Sequence, residues 1–170
     1  IPLLAWAQAD ADEHLKFAQA AYQANSLATA LAHVDSAITL EPGIPGGYKL
    51  RGDIKQRQLD MHGALLDYTK AEKVEPENPR LYVSRSAVHI TEQRVKEAMR
   101  DIEKALDLDD TDPDAWYNRA CANYLGRNNE GALRDLEKSL ELRPSNSDAL
   151  FLRGVVKGEL FKESEGIVDI

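Results

Sequence analysis

The sequence predicts an all-α fold, a solenoid of antiparallel helix pairs in about five repeats with the last one incomplete. Three observations predict it. Residues recur at a spacing of 34: Ala30, Ala64, Ala98, Ala132 and Gly166 form one column, and Pro42, Pro76, Asp110 and Pro144 close successive copies. Inside each copy the apolar spacing is helical, as in Ala132, Leu133, Leu136 and Leu140. The breaks between copies (KVEPENPR, LDDTDPDA, ELRPSNSD) are rich in turn residues. Two short helices cannot bury both faces alone, so each pair stacks on its neighbours and the first helices line a concave face.

The elements follow in chain order. Residues 1–10 (IPLLAWAQAD) have two readings. Pro2 can occupy the first turn of a helical extension, which goes with a cytoplasmic protein. The alternative is a secretory-signal remnant, with an A-x-A at Ala7 to Ala9, which goes with the periplasm, secretion or the secretory-pathway lumen. No basic segment precedes the apolar run, which favours the first. The array itself spans residues 11–170 as copies 11–44, 45–78, 79–112, 113–146 and 147–170. In each copy a first helix of about 13 residues starts just after the repeat start, and a second closes at the Pro or Asp. The fifth copy stops inside its second helix at Ile170.

Further columns explain how the helices approach. Ala18, Gly52, Ser86, Ala120 and Gly154 are small, as are Ala37, Ala71, Ala105 and Ser139. Such side chains let backbones come close, while Tyr48, Tyr82 and Trp116 fill the gaps between repeats as core residues. Arg51, Arg85, Arg119 and Arg153 each have an Asp sixteen residues later: Asp67, Asp101, Asp135 and Asp169. In the first copy both places change together, to Phe17 and His33, so the two positions are expected to touch within one repeat. Pairing of each Asp with the Arg of the next repeat is the alternative. Either way the pair is a semi-buried structural one.

Composition narrows the function. The net charge of -8 and pI near 5.0 argue against a nucleic-acid or anionic-membrane binder, and no run of apolar residues is long enough to span a bilayer. A single cysteine excludes an intrachain disulfide. There is no phosphate-cradling loop, dinucleotide fingerprint or nucleophile elbow. His14, His33, His62 and His89 lack metal-ligand spacing, so no metal and no cofactor is expected. The acidic run Asp107 to Asp114 fails as a calcium loop, with Ala115 and Cys121 where Gly and Glu are needed, and reads as a helix cap. Cys121 has no base beside it and reads as a packing residue.

The fourth copy, PDAWYNRACANYLGRNNEGALRDLEKSLELRPSN, resembles the tetratricopeptide repeat at Trp116, Ala120, Tyr124, Gly126, Ala132, Leu136 and Pro144. The resemblance extends over residues 11–170 and implies a right-handed superhelical solenoid that binds proteins or peptides without catalysis. Asp110 departs from it in place of the closing Pro, and Ser139 in place of Ala. It also implies which places line the inner groove. In the second copy these hold Lys49, Asp53, Gln56 and Arg57, a polar half. Further on they hold Val83, Ile90 and Thr91, then Asp114, Tyr117, Cys121, Tyr124 and Leu125, then Asp148, Phe151 and Val155, an apolar and aromatic half. Some of Val83, Tyr117 and Phe151 could instead pack against neighbouring first helices.

Modules of this family that grip the acidic C-termini of Hsp70 and Hsp90 use Lys and Asn in one repeat, Asn in the next, and Lys and Arg in the third. The three frames here offer Leu15, Gln19, Leu50, Arg80, Ser84; Lys49, Asp53, Ser84, Asp114, Asn118; and Val83, Ala87, Asn118, Asp148, Leu152. None supplies the set. The expectation is therefore a scaffold whose groove takes a peptide or helix with apolar anchors. The alternative is an assembly unit that self-associates through an open fifth repeat at Phe161, Ile167, Val168 and Ile170.

Overall fold

The computed structural model describes residues 2–164, with side chains described over 10–161. Among the described residues there are nine helices and no strand: α1 (Pro2–Gln23), α2 (Leu27–Leu40), α3 (Gly47–Arg57), α4 (Met61–Val74), α5 (Pro79–Thr91), α6 (Val95–Leu108), α7 (Pro113–Leu125), α8 (Asn129–Leu142) and α9 (Ser147–Ser164). None is long and apolar enough to cross a membrane. The chain divides into two compact units, one up to Leu81 and one from Tyr82. The segment 1–10 and the first helix of copy one run together in α1 from Pro2 onward.

The turn inside each repeat has one recurring geometry. Asn25, Leu59, Gln93 and Arg127 all adopt a left-handed conformation, with φ between 58° and 64°, and they too lie 34 residues apart. Each donates its N–H three residues back, to Tyr22, Gln56, Ile90 and Tyr124. The next residue donates five back, to Ala21, Lys55, His89 and Asn123. This double closure satisfies carbonyls that the helix end would otherwise leave unpaired. It also places the following residue at the start of the second helix. Asp60 and Asn128 cap there, accepting from Gly63 N at 2.9 Å and Gly131 N at 3.1 Å.

The small-residue columns lie at the helix contacts. Ala30, Ala64, Ala98 and Ala132 are fully buried, as are Ala18, Ser86 and Ala120. At Gly52 an added Cβ would stand 2.6 Å from the Tyr68 ring, so the missing side chain is what admits that ring. At Gly154, in the same register, an added Cβ would meet nothing within 4 Å, because no second helix of the fifth copy covers α9 among the described residues. Ser139 substitutes for Ala in its column by donating its hydroxyl to the Pro113 carbonyl at 2.8 Å.

The Arg and Asp columns close within the repeat. Arg51 to Asp67, Arg85 to Asp101 and Arg119 to Asp135 are each two-pronged, with Nη2 to Oδ1 at 2.7 Å in all three. Burial pushes the Asp67 carboxyl up, but the hydrogen bonds and charges of Arg51 and Lys55 outweigh this and hold it below its usual range. In the first copy the Phe17 and His33 rings keep the contact, with centroids 5.4 Å apart. Asp169 lies outside the described residues, so Arg153 is not placed by this comparison.

The aromatic column is less buried than expected. Tyr82 is enclosed, whereas Tyr48 and Trp116 are half-buried. Each serves instead as a platform for the Arg three residues on, one helical turn away. Arg51 stands over Tyr48, Arg85 over Tyr82 and Arg119 over Trp116, the last at 4.4 Å. The acidic turn before α7 caps, as its sequence implies: Asp112 accepts from Asp114 N at 2.9 Å.

Candidate functional site

In the second unit, the spacing of Tyr117, Cys121, Tyr124 and Leu125 puts all four on one face of α7. That face borders a cavity of about 410 Å³, completed by Ile90 and Thr91 at the end of α5, Gln93 in the turn, and Asp148, Phe151 and Leu152 on α9. Behind it α7 is anchored on both sides. Asn118 Nδ2 donates to the Val83 carbonyl at 3.0 Å and to Ser86 Oγ at 2.9 Å. On the other side Ala120 packs with Ala132, Leu136, Ala149 and Val156.

The cavity wall is apolar and partly open. Phe151 is 75% exposed and Leu125 41%, and exposed large apolar side chains grouped around a concavity mark an interaction surface. Tyr117 and Cys121 stand one helical turn apart on α7 and interact. Burial pushes the Cys121 thiol up, with Asp148 adding to the effect and Tyr117 opposing it. Burial likewise pushes the Tyr117 phenol up, reinforced by Cys121 and Asp148. Both groups therefore stay protonated near neutrality, and Cys121 is a neutral part of the wall.

Of the expected groove residues, Ile90, Tyr117, Cys121, Tyr124 and Phe151 are brought together at this cavity. Val83 is not, being only 7% exposed, with its carbonyl engaged by Asn118 and by the Ser86 hydroxyl. Val155 is half-buried on α9 and outside the lining. The polar four lie on α3 in the first unit and are engaged with neighbours there. Lys49 pairs with Asp53 at 2.6 Å, and the Tyr68 hydroxyl lies 2.9 Å from both Asp53 Oδ1 and Gln56 Oε1. Arg57 donates to the Tyr22 carbonyl and stands 3.8 Å over its ring. These contacts join α3 to α1 and α4.

Two lining residues escaped the sequence reading. Leu152 follows Phe151 and occupies no place that the groove rule marks. Gln93 enters through the left-handed turn, whose position no glycine advertises in the sequence. In the first unit a second concavity is lined by Asp10, Glu13, His14, Phe17, His33 and Leu40, with the two histidine Nδ1 atoms 3.0 Å apart. No group of three metal-ligating side chains converges among the described residues.

Comparison with known proteins bears on the fold. Residues 79–112 and 113–146 each match the tetratricopeptide repeat family. No curated protein sequence matches the chain. Among solved structures, PilF of Pseudomonas aeruginosa is similar with a TM-score of 0.82 at 18% identity, over 94% of this chain and 71% of that one. YrrB, described as a TPR protein with an unusual peptide-binding site, gives 0.73 at 22% identity over 93% and 81%. The first TPR of Spaghetti (RPAP3), bound to the HSP90 peptide SRMEEVD, gives 0.64 at 26% identity over 66% and 90%.

Proposed function

Residues 79–146 are two tetratricopeptide repeats within an all-α series of such helix pairs, and from that premise we propose that the chain is a non-catalytic scaffold that binds a protein segment. The observation that carries this reading is the aromatic cavity of the second unit, where three elements present Ile90, Tyr117, Tyr124 and Phe151 around one space. An extended or helical segment with apolar anchors fills such a space and gains from water exclusion. The peptide-binding site described for YrrB and the HSP90 peptide bound to the first TPR of Spaghetti (RPAP3) support the class of ligand. The acidic HSP90 tail does not carry over, because no frame of this sequence supplies the full clamp set.

The test is a titration of a partner segment against wild type and a Tyr117→Ala, Phe151→Ala variant of matched helicity. Loss of both rings should weaken binding by about 1 to 2 kcal/mol or more, as for aromatic anchors at an interface centre. Equal affinities would move the site to another face.

A second reading has its own observation. On α9 the Gly154 face is open and Leu150 and Phe161 are exposed, which supports self-association through the fifth repeat. Ile167, Val168 and Ile170 lie outside the described residues. Light scattering over a dilution series separates the two readings: a concentration-dependent mass favours assembly, and a constant monomer mass favours the groove.

A further inference from the structure

The cavity of the second unit carries one charge. Among its lining residues Asp148 is the one acidic or basic side chain, the rest being apolar, aromatic, amide, hydroxyl or thiol side chains. Its carboxylate makes no hydrogen bond or ion pair with the described residues; only its backbone N–H is engaged, with Asn146. Other acidic groups of the same unit differ. Asp114 is held by Arg143 at 2.6 Å and Asp135 by Arg119 at 2.7 Å. Asp148 stands in the first turn of α9.

That charge discriminates among occupants. A wholly apolar segment laid over the cavity would strip water from the carboxylate and leave it unpaired, which is costly. An acidic segment would meet repulsion, both from Asp148 and from a chain of net charge -8. A basic side chain would pair with the carboxylate, and the faces of Tyr117, Tyr124 and Phe151 lining the same space also attract cations. We propose that the occupant of this cavity is an apolar segment carrying a Lys or Arg that reaches Asp148. The inference rests on the groove reading above and adds the charge of the partner to it.

The experiment uses the whole chain as bait for a random twelve-residue peptide library displayed on phage, selected in parallel on wild type, Asp148→Asn and the Tyr117→Ala, Phe151→Ala variant. Wild type should enrich sequences that combine aliphatic or aromatic residues with Lys or Arg. A recovered peptide should lose about three- to fivefold in affinity when its basic residue becomes norleucine, the strength of a partly exposed ion pair. Asp148→Asn should erase that difference while still binding the norleucine form. Apolar binders without a basic preference, lost only in the double variant, would leave the groove standing and overturn the charge assignment. Enrichment of acidic sequences would overturn it as well. No enrichment, or binders indifferent to Tyr117 and Phe151, would overturn both readings together.

Discussion

Leu59 is a large apolar side chain, 78% exposed and held at φ 64°. A left-handed conformation costs an L-residue with a Cβ about 1 to 2 kcal/mol, and glycine is free of that cost. Leu59→Gly should therefore stabilise the protein by about 0.5 to 1 kcal/mol after its larger unfolded-state entropy is counted. A urea midpoint that falls would show that the leucine makes contacts outweighing the strain. This position was not legible in the sequence, because the four residues at it, two amides (Asn25, Gln93), a leucine (Leu59) and an arginine (Arg127), share no common side chain. The requirement there is on the backbone, and the hydrogen bonds to residues three and five back meet it whatever the side chain. Alanine columns were legible for the opposite reason. Close approach of two backbones excludes every side chain but the smallest, so the structural demand is written directly as residue type.

Between elements, the same sequence signal carries two different physical situations. Gly52 and Gly154 occupy one register, yet Gly52 faces the Tyr68 ring and Gly154 faces open space. Gly52→Ala should cost about 1 to 3 kcal/mol by overpacking α3 against α4. Gly154→Ala should instead raise stability by up to about 1 kcal/mol through helix propensity alone. Thermal melts of the two variants check the pair, and a loss at Gly154 would mean that a packed neighbour covers that face of α9. The ion pairs show a similar division. Their covariation with Phe17 and His33 gave away the contact within one repeat, whereas the stacking of each Arg on the ring one turn before it was hidden. Tyr48 and Trp116 read as core fillers because an aromatic column looks alike whether it packs under neighbours or under an arginine.

At the scale of the whole chain, stability in a repeat array is a sum of local terms and interfaces between neighbours. Ala132 is fully buried in a cluster drawn from α7, α8 and α9. Ala132→Leu should destabilise that cluster by about 1 to 3 kcal/mol. Amide exchange should quicken in α7 to α9 and stay unchanged in α1 and α2, since distant repeats share no contacts with the altered site. Uniform quickening throughout would show one global cooperative unit. For the candidate site, the helix face of α7 was readable from spacing, and Tyr117, Cys121 and Tyr124 border the cavity. Val83 is buried instead, because a groove rule gives direction along a helix and says nothing of how deeply the neighbouring helix covers it. The Arg and Asp pairs bear on the history of such a chain. Each described bond of the series joins residues sixteen apart inside one 34-residue copy, so a duplication or deletion of a whole copy severs none of them. A gene could lengthen or shorten by that unit and every surviving copy would keep its own clasp, whereas an insertion or deletion between the two members of a pair would disturb it.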